Sequence, residues 1–196
     1  KGITEEDIMR SAKLLIENEI TNLRLYFIIG LPSETEKDID AIIDLVKKIQ
    51  HHVLHCTGGK RRFRSITLSI NQFIPKPSTP LQWCALGDIN SSGKKIKKIV
   101  SAFGRDKQIR VIHDVPKWNY VQALLSLGDR KAGEILLAVH RLSGNWAQAL
   151  KEVNVNADFY VYRQKQFAEI LPWDIIDSGT SKKALVSECK KALENE

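Results

Sequence analysis

The stretch Leu23-Arg24-Leu25-Tyr26-Phe27-Ile28-Ile29, closed by Gly30-Leu31-Pro32-Ser33-Glu34-Thr35, decides the fold class. A short run with a single charge, rich in aromatic and β-branched residues, reads as a strand buried on both faces of a parallel sheet. Gly30 and Pro32 stop it. Thr35, with Asp38 three positions on, then announces a helix whose apolar positions Ile39, Ile42, Ile43, Val46 and Ile49 recur at helical spacing through Gln50.

The same grammar extends outward in both directions. Upstream, Thr4 is a helix N-cap followed by acidic Glu5, Glu6 and Asp7, and Ile8, Ala12, Leu15 and Ile16 form one apolar stripe that ends near Glu19. Downstream, residues 51–64 break the pattern with Gly58-Gly59 and a run of charge and read as a loop, after which residues 66–74 resume as a strand. Strands separated by amphipathic helices specify an α/β fold with a parallel sheet or barrel, in which functional loops leave the C-terminal strand ends. Two segments stand there: 30–35, and Pro75-Lys76-Pro77-Ser78-Thr79-Pro80, stiffened by three prolines that fix φ and remove donors.

Past residue 90 the organisation shifts. Ile96, Ile99, Val100 and Phe103 mark a helix under a Lys-rich face, and residues 108–113 read as one more strand. Helices are then expected over 117–127, over 129–142 with Asp129 as N-cap, and over 146–153, 157–167 and 181–193. A soft boundary near residue 90 separates an α/β part, 1–90, from a mainly helical part, 91–196.

The 196 residues carry 30 Lys and Arg against 23 Asp and Glu, a net charge of +7, so a nucleic-acid partner has to be considered. The excess concentrates in Lys60-Arg61-Arg62-Phe63-Arg64, in Lys94-Lys95-Ile96-Lys97-Lys98, and in Lys182-Lys183 with Lys190-Lys191. The last two groups fall on amphipathic helices, where Lys ordinarily solvates the outer face. No run reaches the roughly 18 apolar residues a membrane-crossing helix needs, and the charged start reads into a helix rather than a secretory leader, so no membrane partner and a cytoplasmic location are expected.

Cys56, Cys84 and Cys189 make no disulfide framework or metal-ligand spacing. His51, His52, His55 and Cys56 cluster, but a closed zinc site draws on a second ligand pair and none stands at a suitable spacing. His113-Asp114 and His140 lack a partner nucleophile at a recognisable elbow. Trp83 and Trp173 each follow a Pro-containing turn, where a large aromatic clamps a loop onto the core.

The segment from Leu25 through Gly30-Leu31-Pro32-Ser33-Glu34-Thr35 to Ile39, followed by Phe73-Ile74-Pro75-Lys76-Pro77-Ser78-Thr79-Pro80-Leu81-Gln82-Trp83, resembles the second half of a radical SAM enzyme core. In that superfamily a (β/α)6 partial barrel binds S-adenosylmethionine and a [4Fe-4S] cluster; a GLPxET turn ends strand five and a PKPxTPxQW loop follows strand six. The resemblance is greatest to uncharacterised radical SAM Fe-S oxidoreductases with a cobalamin-binding domain upstream, which brings cobalamin in as a further implied cofactor, and more distant to methylthiotransferases. Leu127-Gly128-Asp129-Arg130-Lys131 and residues 171–179, LPWDIIDSG, look like C-terminal signatures of the same proteins.

The resemblance implies that Ile28 and Gly30 contact the adenine region of S-adenosylmethionine, that Glu34 supports the turn, and that Phe73 and Ile74, at the end of strand six, also meet adenine. It implies no catalytic residue here. The cluster motif Cys-x3-Cys-x2-Cys is absent, since none of Cys56, Cys84 or Cys189 fits it. The chain, which starts at Lys1 and has Met9 as its sole methionine, therefore reads as a C-terminal portion, inactive alone, whose partner is the N-terminal barrel half of the same polypeptide. The parent reaction implied is electron transfer from the reduced cluster into S-adenosylmethionine, giving a 5′-deoxyadenosyl radical, with the helical region selecting the substrate. Two other readings stand beside it: a basic RNA-binding module centred on residues 60–64, RNA being also a candidate substrate, and a helical interaction module without catalysis.

Overall fold

The computed structural model describes residues 3–56 and 63–194. The element order is α1 (Glu5–Glu17), β1 (Asn22–Ile29), α2 (Glu36–Cys56), β2 (Ser65–Gln72), α3 (Ile89–Phe103), β3 (Ile109–His113), α4 (Pro116–Leu127), α5 (Ala132–Arg141), α6 (Trp146–Glu152), α7 (Ala157–Val161) and α8 (Lys182–Glu194). The chain is thus an alternating α/β fold around a small parallel sheet of three described strands, in the order β1-β2-β3.

Two compact units divide the chain discontinuously: residues 1–29, 34–72 and 90–114 form one, and residues 30–33, 73–89 and 115–196 the other. The segment 90–114, expected beyond a boundary near residue 90, contributes α3 and β3 to the same unit as β1 and β2.

In the first unit, β1 pairs with β2 from Asn22↔Ser65 to Ile29↔Gln72, and β2 with β3 from Ile66↔Ile109 to Ile70↔His113, all parallel. One apolar cluster joins Leu23 and Ile29 of β1, Ile66, Leu68 and Ile70 of β2 and Ile109 of β3 to Ala12 and Ile16 of α1, Ile39, Val46 and Ile49 of α2, and Ile96 and Ile99 of α3. Thr4 and Asp7 close a capping box on α1, as their spacing predicts. At α2, the Asp38 carboxylate accepts both the N–H and the hydroxyl of Thr35 at 2.7 Å.

Three expectations for this unit are corrected. β1 is covered on one face, not two: Leu23, Leu25, Phe27 and Ile29 turn to the cluster, whereas Arg24, Tyr26 and Ile28 are exposed, because α1, α2 and α3 pack on the first face and no described element covers the second. Residues 51–56 are not loop, since buried Val53 continues the stripe of Val46 and Ile49 and carries α2 through Cys56. β2 ends at Gln72, so Phe73 and Ile74 lie beyond the strand rather than at its end.

The second unit is helical around two clusters. Leu86, Ala123 and Leu124 of α4, Ile135, Ala138 and Val139 of α5, Ala149 of α6 and Val161 of α7 form the first, with Ile74 packed against it. Trp83, Leu127, Leu171, Trp173, Leu185 and Cys189 form the second. Asp129 is not the N-cap of α5: its Oδ1 accepts the Lys131 N–H at 2.8 Å, a local turn that delays the helix to Ala132. α7 stops at Val161 instead of reaching Phe167, because Arg163 and Glu169 close a two-bond ion pair at 2.5 and 2.7 Å and the Lys165 N–H bonds the Trp83 carbonyl at 2.9 Å, neither of which a continuing helix permits.

Candidate functional site

Each functional candidate sits in or beside one of the two loops that follow β1 and β2, whose terminal residues Ile29 and Gln72 are register partners. After β1, Gly30 takes φ +76°, a left-handed conformation that lets the chain turn directly out of the strand. Ser33 repeats that conformation at φ +69°, two residues before Thr35 meets Asp38 at the start of α2. The Thr35 N–H and hydroxyl hold the Asp38 carboxyl below its ordinary pKa.

Glu34 has a partner that the sequence did not name. Its side chain is 6% exposed and its Oε1 accepts from Lys95 Nζ of α3 at 2.6 Å. Lys98, one turn on, bonds Asp40 at 2.7 Å. Half of the Lys94–Lys98 cluster is therefore spent on acids of the preceding loop and α2 rather than simply solvating the outer face of α3.

Ile28, at the C-terminal end of β1, is 55% exposed, and Tyr26 on the same face lies under Arg24, 5.0 Å from guanidinium carbon to ring centre. These two side chains offer an open apolar surface. Phe73 is half-buried, and Ile74 is half-buried against the α4–α5 cluster. Ile74 is thus committed to packing in its own unit.

The Pro-rich segment after β2 is a folded loop held by its own polar groups. Thr79 Oγ1 donates to the Lys76 carbonyl at 2.7 Å, and the Gln82 N–H to the Thr79 carbonyl at 3.1 Å. Gln82, itself buried, accepts the Ser78 N–H at 3.0 Å and the indole N–H of Trp173. The second C-terminal signature is thereby tied to the Pro-rich loop, and Ser78, Gln82, Trp173, Asp174 and Lys182 line a cavity of about 160 Å³. Trp83 and Trp173 are both buried and serve as clamps; among the described residues the Trp83 indole nitrogen has no hydrogen-bond partner.

None of the five candidate residues lines a second, open cleft of about 430 Å³, lined by Ile8, Leu15, Leu23, Leu25 and neighbours on α1 and β1. His51, His52, His55 and Cys56 lie on the last turns of α2, with Cys56 Sγ 3.6 Å from His52 Nε2. His113 bonds the Asp114 carbonyl through Nδ1. Among the described residues, no group of three or more His, Cys, Asp or Glu is placed to hold a metal ion. Cys56 is exposed at the end of α2 while Cys84 and Cys189 are buried, and these residues do not fit a [4Fe-4S] cluster.

Lys60, Arg61 and Arg62 of the basic run lie outside the described residues. Phe63 is buried in the α1–α3 core, so its ring is not offered to a base. Sequence reasoning missed the Glu34–Lys95 pair and buried Lys165. Of these, only Lys95 left a trace, as a basic residue placed one helical turn from Lys98.

No family model matches the chain, and no solved structure matches it. The chain is similar to "Uncharacterized protein MJ0966" of Methanocaldococcus jannaschii, 29% identical over 136 residues. The match covers 69% of this chain and 28% of that protein, so the chain spans little more than a quarter of the relative's length.

Proposed function

We propose that this chain is the C-terminal part of a radical SAM protein, with β1 and β2 as strands five and six of its partial barrel, β3 continuing the same sheet beyond them, and the segments after β1 and β2 contributing to the binding of S-adenosylmethionine. The observation that carries the reading is the sheet's second face. Parallel sheets are ordinarily covered on both sides, yet Tyr26 and Ile28 remain open beside the Gly30 turn. That face is where a barrel interior would lie.

Ile28 would present its apolar side chain to a purine, and the Gly30 backbone would approach it without a Cβ in the way. Glu34 acts at one remove, by fixing the turn through Lys95. Phe73 would contribute half-exposed apolar surface, and Ile74 would hold that segment to its core. The cluster, if present, is held elsewhere in the polypeptide, because the cysteines here do not fit it. When bound, the cofactors supply the radical chemistry; these residues supply orientation and exclusion of water.

The test is S-adenosylmethionine binding by the gene's full-length product, measured by equilibrium dialysis. Ile28→Asp and Gly30→Val are each expected to weaken binding by roughly tenfold or more, the loss of about 1.4 kcal/mol of contact. No binding by the unsubstituted protein refutes the function; unchanged affinity in both variants refutes the assignment of the site.

A further inference from the structure

The three described strands hold no Asp or Glu, and Arg24 and Arg110 are their only Lys or Arg. Register puts the two arginines in one row: Arg24 pairs with Thr67 of β2, and Thr67 with Arg110 of β3. Neighbouring strands lie about 4.8 Å apart, so the two arginine Cα atoms stand about 10 Å apart across Thr67. They also share a face. Leu23 and Leu25, Ile66 and Leu68, and Ile109 and Val111 turn to the α1–α3 core, which sends Arg24, Thr67 and Arg110 to the opposite side. That side is the open face of Tyr26 and Ile28. The next row toward the C-terminal strand ends is Tyr26, Ser69 and Ile112, and beyond it Ile28 pairs with Asn71.

Neither guanidinium has a carboxylate partner among the described residues. Arg24 rests over the Tyr26 ring, 5.0 Å from its centre, and a guanidinium held by its flat side keeps its in-plane N–H donors for a ligand. Two like charges on a small sheet face with no acid to neutralise them call for an anion. The single charge of a carboxylate is matched by one guanidinium. A phosphate monoester brings up to two charges and three terminal oxygens, enough for both arginine forks and for the Thr67 hydroxyl between them. An outward charge on an outer strand also discourages edge pairing, but that role requires no shared row or face.

We propose that Arg24 and Arg110 hold the phosphate of a small phosphate monoester on the open face of the sheet, with Thr67 between them and the organic part of the ligand over Tyr26 and Ile112. S-adenosylmethionine carries no phosphate, so this ligand is a different molecule from the one assigned to Ile28. Beside bound S-adenosylmethionine it would stand in the substrate's place, a step that rests on the function proposed above, whereas the binding of phosphate does not.

The test is equilibrium dialysis of phenyl phosphate against the gene's full-length product, with benzoate as the carboxylate of the same ring. Expected is saturable binding of phenyl phosphate with Kd near or below about 1 mM, and binding of benzoate that is weaker by roughly tenfold or more. Arg24→Gln and Arg110→Gln are each expected to weaken phenyl phosphate binding by roughly tenfold or more, and Arg24→Lys nearly as much, because an ammonium lacks the fork. Arg105→Gln, which removes an exposed arginine beyond the end of α3, should leave the affinity unchanged, and thermal melts verify that each variant folds. No saturable binding of phenyl phosphate, equal affinity for benzoate, or unchanged affinity in both glutamine variants overturns the proposal. So does retention of single-stranded RNA with no affinity for phenyl phosphate, which would make this face a nucleic-acid platform. S-adenosylmethionine binding, measured on the same samples, separates the two sites: phosphate binding without it refutes only the function proposed above, and the reverse refutes only the phosphate site.

Discussion

Glu34 and Lys95, 61 residues apart, form a 2.6 Å ion pair with side chains 6% and 14% exposed. Both residues belong to the first unit, Glu34 just ahead of α2 and Lys95 on α3. Burying two charges is costly in itself, and removing one partner is costlier because it leaves the other desolvated without its counter-charge. Lys95→Met is expected to destabilise the chain by about 3 kcal/mol in urea unfolding. Glu34→Leu/Lys95→Met should recover most of that loss; a double variant as unstable as the single one would mean that packing, not charge, is at stake.

Two glycines carry different constraints. Gly30 at φ +76° has room only for a backbone that L-residues disfavour, so Gly30→Ala should cost about 1 kcal/mol. Gly128 has an ordinary φ of −72°, but a Cβ there would lie 2.7 Å from the Leu124 carbonyl oxygen and 3.1 Å from the Ala132 Cβ. Neither neighbour is a flexible side-chain end, so Gly128→Ala should cost about 2 kcal/mol through overpacking. Equal urea midpoints for Gly128→Ala and the parent would show that α4 and α5 part easily.

Lys165 predicts a pH signature. Burial, reinforced by Arg163, lowers its ammonium from 10.5 to about 8, with Glu169 and Cys84 opposing. A folded-state pKa below the unfolded one means the unfolded chain binds the proton more tightly between those values, so this residue's contribution to stability rises with pH from about 8 to 10.5. Lys165→Met should be the more stable protein at pH 7, and its advantage should shrink by roughly 2–3 kcal/mol as pH rises through that window. Lys165 and the Cys84 thiol act on each other, so the comparison is made in a Cys84→Ala background, which isolates the ammonium. A gap that stays constant with pH would mean Lys165 is hydrated in solution.

What could be read from the sequence was local. Thr4 with Asp7 and Thr35 with Asp38 meet within one helical turn, as their spacing indicates: the first pair closes a full capping box, and in the second the Asp38 carboxylate takes the Thr35 N–H and hydroxyl. The alternation of β1, α2, β2, α3 and β3 likewise follows from apolar periodicity. The end of α2 was legible too, in the four-residue step from Ile49 to Val53, but the histidines and the Gly58-Gly59 signal outweighed it. Whether β1 is covered on one face or two depends on its neighbours, which no run of apolar residues reveals. Long-range meetings such as Gln82 with Trp173 and Glu34 with Lys95 left almost no sequence signal, because each joins elements brought together only by the fold.

The central claim is tested most directly by reconstituting the gene's full-length product with iron and sulfide under anaerobic conditions, adding reductant and S-adenosylmethionine, and measuring 5′-deoxyadenosine. The account predicts an iron–sulfur cluster and 5′-deoxyadenosine from the full-length product and neither from the 196-residue chain alone. A full-length product that takes up no cluster, or carries one without cleaving S-adenosylmethionine, contradicts it.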